Sequence, residues 1–206
     1  TMDLTALLTH PIVQSAVYPL ALGFILTGAI RLIGGPGRGA LLAATAVGGT
    51  LLATHLLIFG PPPLPPRSAT DKLFLLTAAG LAAGFALDLI RDRQIVVRIV
   101  VVAGAAAGLW WLAGNRLGAP TLDEDWLRYG LLLLAGLVCL LRLESRSDAG
   151  LNPSVMLLVA AIGAGTVTVI GASAAIGQSL FGLAAALGGF MLWNWPVNRF
   201  AFNRAA

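Results

Sequence analysis

Residues 149–198 read AGLNPSVMLLVAAIGAGTVTVIGASAAIGQSLFGLAAALGGFMLWNWPVN, a run of fifty without one Asp, Glu, Lys or Arg. Its apolar residues form blocks and do not alternate with polar ones as a half-buried strand requires. A helix crossing a hydrocarbon core needs about 20 such residues, so this run holds two. It is interrupted only by Gly171, Ser173 and the group Gly177-Gln178-Ser179. The reading is two helices joined by a very tight turn, Pro153–Gly171 and Ala174–Trp195. A re-entrant pair is the alternative, because irregular backbone is tolerated at depth where protein buries it.

Working outward, the same rule predicts five earlier spans: Ile12–Ile33, Gly39–Phe59, Leu73–Ile90, Ile95–Ala113 and Trp126–Leu141. The breaks carry Gly, Pro and charge, as at Gly34-Gly35-Pro36-Gly37, Gly60 to Pro66, Arg91-Asp92-Arg93 and Gly118-Ala119-Pro120. The expected fold is therefore an all-α membrane bundle of about seven helices in a single domain. Of the 206 residues, 58% are hydrophobic and 11% are charged. Soluble domains carry about 25% charge, so this chain has too little polar surface to cover a water-exposed globule. The first block has no basic flank and no small-residue cleavage site, so it is expected to be a retained helix rather than a leader.

Twelve of the thirteen basic residues are arginine, with Lys72 the exception. Together with abundant Ala and Gly this composition points to a bacterial plasma membrane. The connections after the first, third and fifth helices, with the tail and Arg98, hold nine basic residues: Arg31, Arg38, Arg91, Arg93, Arg98, Arg142, Arg146, Arg199 and Arg204. The other side holds four, Arg67, Lys72, Arg116 and Arg128. Short loops rich in Arg and Lys stay in the cytoplasm, which predicts the N-terminus outside and the C-terminus inside. Trp193 and Trp195 are expected as interfacial anchors at the cytoplasmic end. The net charge of +4 is scattered between apolar blocks and forms no nucleic-acid patch.

After the first helix, three hairpins follow, a possible 1+2+2+2 organisation. Two of them share a Pro-containing loop followed by a capping-box spacing, Ser68-Ala-Thr-Asp71 and Thr121-Leu-Asp-Glu124. In such a box the hydroxyl accepts from a free backbone N–H and the carboxylate reaches back. The five prolines between Gly60 and Lys72 make a stiff loop.

Candidate functional residues are few. Asp88 lies one turn from Arg91, with Arg98 across the connection, an arrangement read either as an interfacial ion-pair cluster or as part of a proton or ion route. In the uncharged hairpin, Gln178 and Ser179, with Thr166, Thr168 and Ser173, could line a path for a neutral solute. Hydroxyls bonding carbonyls of their own helix explain the Ser and Thr residues equally well. His55 and His10 are weak candidates for a metal or haem, since no Cys, Glu or third His accompanies them. The acidic group Asp123, Glu124 and Asp125 reads as a solvated helix start. Gly80 and Gly84, and Gly104 and Gly108, give the four-residue spacing that lets membrane helices approach closely. No catalytic motif occurs, no cofactor is expected, and Cys139 stands alone. The leading expectation is a structural or accessory membrane subunit, surrounded by lipid and packed on a membrane partner or a second copy. A transporter or channel for a small neutral solute or ion is the alternative, and a His-based cofactor protein the third.

Overall fold

The computed structural model describes residues 10–39, 42–89, 94–117, 123–145, 152–171 and 173–196. Among these all regular structure is helical, and seven α-helices follow in order: α1 Tyr18–Gly34, α2 Thr45–Phe59, α3 Ala69–Leu89, α4 Gln94–Leu117, α5 Asp123–Ser145, α6 Asn152–Gly171 and α7 Ala174–Trp193. Wider π-helical turns flank α1 at Val13–Val17 and Gly35–Gly39. Five segments are long and apolar enough to cross a membrane: Val13–Gly34, Ala69–Leu87, Ile95–Leu112, Asn152–Gly171 and Ala174–Trp193. The apolar stretches Thr45–Phe59 and Leu133–Leu143 are shorter. At 1.5 Å per residue the 15-residue α2 spans about 22 Å, less than the roughly 30 Å of a hydrocarbon core.

Local chemistry explains several boundaries. Gly60 ends α2 at φ +77° and ψ −174°, a conformation open to glycine alone, and its N–H returns to the Leu56 carbonyl at 3.2 Å. The box at the start of α3 forms as expected. Ser68 Oγ accepts from the Asp71 N–H at 3.1 Å, and Asp71 Oδ2 accepts from the N–H groups of Ser68 and Arg67 at 2.9 and 3.2 Å. This capped polar turn is itself helical, which is why α3 begins at Ala69 and not at Leu73. The second box lies partly outside the described residues.

Within the uncharged run, Asn152–Gly171 and Ala174–Trp193 are each a continuous helix. Ser173 serves both helix ends: its N–H donates to the Thr168 carbonyl at 2.8 Å, closing α6, and its Oγ accepts from the Ile176 N–H at 3.4 Å, opening α7. The antiparallel pair packs closely because glycine faces it. A Cβ on Gly177 would collide with Val169 Cγ2, and one on Gly165 would lie 3.1 Å from the Phe181 ring.

α7 is the hub, packed on α6, α1 and α2. It runs parallel to α1: Gly182 faces Pro19, Ala186 faces Gly23, and Trp193 faces Gly28. A Cβ on Gly23 would lie 2.7 Å from the Ala186 carbonyl oxygen, and one on Gly189 would strike the backbone of Leu20 and Phe24. Trp193, expected as an interfacial anchor, is turned onto α1, while Trp195 is exposed. The fully buried core gathers Ala43, Ala44 and Val47 with Ala186, Leu187 and Phe190. Beyond this four-helix unit, α3 packs on α2, α4 lies along α3, and α5 along α4. Lys72 Nζ donates to the Trp111 carbonyl at 3.1 Å, fixing the start of α3 beside the end of α4.

Candidate functional site: a cavity between α2, α3 and α7

Toward the end of the bundle that carries the Pro-rich loop, α2, α3 and α7 diverge around a cavity of about 160 Å³. His55 and Thr54 come from α2, Phe74 and Thr77 from α3, and Gln178 and Ser179 from α7. Their placement follows from helix direction. α2 ends and α3 and α7 begin at this end, so His55 lies about 6 Å before the end of α2 and Gln178 a similar distance after the start of α7. On α2, Val47, Thr50 and Thr54 form one stripe at helical spacing. The stripe enters the core at Val47 and reaches the cavity at Thr54.

His55 is 9% exposed, and its ring sits between Phe59 and Phe74 at centroid distances of 5.1 and 4.8 Å, tilted against both. Its Nε2 is buried with no hydrogen-bond partner, and so is Thr54 Oγ1. Thr50 Oγ1 and Ser154 Oγ share that condition but do not line the cavity. The other helical hydroxyls behave differently. Thr27, Thr77, Thr166 and Ser179 each donate to the carbonyl four residues back, at 2.6 to 3.0 Å, and Thr168 donates to Gly165. That self-satisfaction is the usual solution for Thr and Ser in an apolar helix. Thr54 departs from it.

The residues singled out from sequence are distributed as follows. Gln178 and Ser179 meet His55 in the cavity. Thr166, Thr168 and Ser173 are occupied by their own helix or turn. His10 is exposed before α1, its Nδ1 accepts from the Ile12 N–H at 3.3 Å, and it is not among the cavity residues. Among the described residues no three His, Cys, Asp or Glu side chains gather as a metal site. Asp88 lies in the last turn of α3 and Arg98 is exposed on α4, whereas the Asp88 side chain and Arg91 lie outside what is described. The side chains of Asp123, Glu124 and Asp125 also lie outside it. Gly84 is buried, and Gly108 would place a Cβ 3.4 Å from Leu76 Cδ2. Gly80 and Gly104 face open space.

Sequence reasoning did not single out Thr54, Phe59 or Phe74. The available signal was local: Thr54-His55 followed by Phe59 puts a hydroxyl and an imidazole, with an aromatic ring at i+4, on one helix. What makes them a site is α7, more than a hundred positions away. Comparison with known proteins finds no family model, no curated protein and no solved structure that matches this chain.

Proposed function

We propose that the chain is an accessory subunit of a bacterial plasma-membrane assembly, using the row α3–α4–α5 to pack on a membrane-protein partner. One observation carries this reading. α4 and α5 stand off the four-helix unit one layer thick, and small residues are spaced along the faces they leave bare. A Cβ on Gly80, Gly104, Gly130 or Gly136 would meet no heavy atom within 4 Å. Inside the chain the same residue type brings α1 and α7 into backbone contact. Between membrane helices lipid supplies no hydrophobic drive, so close approach at small residues is what gains dispersion contact. Bare glycines on an unfilled helix row fit an interface waiting for its other half. The nine-to-four distribution of basic residues supports an outside N-terminus and an inside C-terminus.

Transport of a small neutral solute has separate support in the meeting of Gln178 and Ser179 with His55. A route would have to continue past Leu187 and Phe190, both fully buried, about 13 and 18 Å further along α7 than Gln178. It would need that core to open, and the subunit reading needs no such motion.

The test is gentle purification of the chain from its native membrane with quantification of what accompanies it. A stoichiometric membrane partner, lost on Gly80→Leu or Gly104→Leu while the chain stays folded, is the expected result. A stable solitary monomer whose properties neither substitution alters would refute the proposal.

A further inference from the structure

The cavity at His55 shares α3 with the proposed docking row but has a chemistry of its own. A buried donor or acceptor left unmet in an apolar setting costs several kcal/mol. Here two such atoms, His55 Nε2 and Thr54 Oγ1, belong to adjacent residues lining one opening, at 9% and 6% exposure; both atoms are closed to solvent, so a guest meets them only once the side chains turn toward it. The Gln178 amide shares that opening. Three properties restrict what fits. The volume of about 160 Å³ is close to the roughly 150 Å³ of an engineered apolar cavity in another protein that accepts one benzene ring. The lining is chiefly Leu, Ile and Phe, and it includes no charged side chain. Asp71, at the exposed start of α3, is felt at His55 but stands outside the lining, so an ion in the cavity would have no counter-charge in contact with it and a neutral ligand fits better. Finally, the polar groups gather on His55, Thr54 and Gln178, which suits a body that is apolar except for one hydrogen-bonding substituent.

We propose that this cavity binds one uncharged six-membered ring bearing an oxygen, of the phenol or quinone class, with the oxygen held by His55 and Thr54 once their side chains turn toward it. The ring packs between the aromatic side chains of α2 and α3 and the aliphatic wall of α7. A neutral imidazole carries one N–H and one lone pair, and a hydroxyl can do both, so either a ring carbonyl or a ring hydroxyl can be met. Such a ring can arrive as a free phenol from water or as the headgroup of a membrane quinone.

Both sources are tested on the full-length chain in lipid nanodiscs, with phenol as the soluble probe and a decyl-chain benzoquinone as the membrane probe. Saturable one-to-one binding of either supports the class. Binding of phenol alone identifies a free ligand, and binding of the quinone alone identifies a lipid-borne headgroup. Thr54→Val keeps the side-chain shape and removes the hydroxyl. It is expected to weaken the bound probe about fivefold to tenfold, the ordinary worth of one hydrogen bond. Toluene, which lacks the oxygen, is expected to bind at least about tenfold more weakly than phenol. Leu73→Trp, which fills the cavity, should abolish binding. If a variant misfolds, the His55 imidazole ¹⁵N resonance of the unmodified protein gives an independent reading, since it must move on saturation with probe. Absence of saturable binding by both probes, toluene binding as well as phenol, or an unmoved His55 resonance would each overturn the assignment.

Discussion

Trp193 Nε1 donates to the Phe24 carbonyl at 2.8 Å while its indole stacks on the Phe24 ring at 4.9 Å, joining residues 169 positions apart. The last turn of α7 is thereby bound to the middle of α1. Gly28 makes room for it, since a Cβ there would lie 2.6 Å from Trp193 Cζ2. Trp193→Phe keeps the stacking and loses the donor, so it should cost about 1 kcal/mol. Gly28→Val displaces the whole indole and should cost more. Equilibrium unfolding in mixed detergent micelles measures both, and equal stability of the two variants would contradict this account.

Neighbouring glycines on α7 should respond in opposite ways. Gly189 lies against the backbone of Leu20 and Phe24, which cannot yield as a side chain can, whereas Gly188 has only Leu20 Cδ1, 3.9 Å from its would-be Cβ. Gly189→Ala is expected to destabilise by about 1–3 kcal/mol through overpacking. Gly188→Ala should be neutral or stabilising by up to about 1 kcal/mol, from helix propensity. Thermal unfolding of the pair, side by side, decides the matter.

Ser68→Ala removes the hydroxyl that accepts from Asp71 N–H at the start of α3. The expected loss is about 1 kcal/mol, confined to the first turn. Amide exchange should quicken at residues 69–72 and stay unchanged at the centre of α3. Uniform acceleration along the helix would show that the cap supports more than its own turn.

The proposed orientation is open to direct labelling. In a Cys139→Ser background, Pro63→Cys in the Pro-rich loop should react with a membrane-impermeant maleimide in intact cells. Arg38→Cys after α1 should react only once the cells are permeabilised. The reverse pattern would invert the topology.

Much of this architecture is legible in the chain because membrane helices are written locally. An apolar run must satisfy its backbone internally, so length and hydropathy alone place a helix at Asn152–Gly171 and another at Ala174–Trp193. The Ser68–Asp71 box is equally local, since its partners lie within four residues. Boundaries were less legible where helices carry polar ends past the apolar run, as α5 does from Asp123 to Ser145. Of the candidate site, Gln178, Ser179 and His55 stood out as polar residues in apolar surroundings, yet nothing in their spacing joined them.

Sequence by itself therefore determined the membrane class, the helical content and the tight turn at Ser173, all consequences of interactions within a few residues. Tertiary structure decided which glycines matter. Gly80 and Gly104 match the close-packing spacing but face open space, whereas Gly23, Gly177 and Gly189 lie tight against atoms of a neighbouring helix. It also decided that Thr54 and His55 meet Gln178 across α2 and α7. The physical reason is that helix formation depends on neighbours along the chain, whereas packing depends on which face of a helix meets another. In a helix apolar on nearly every side no polar stripe marks that face in advance.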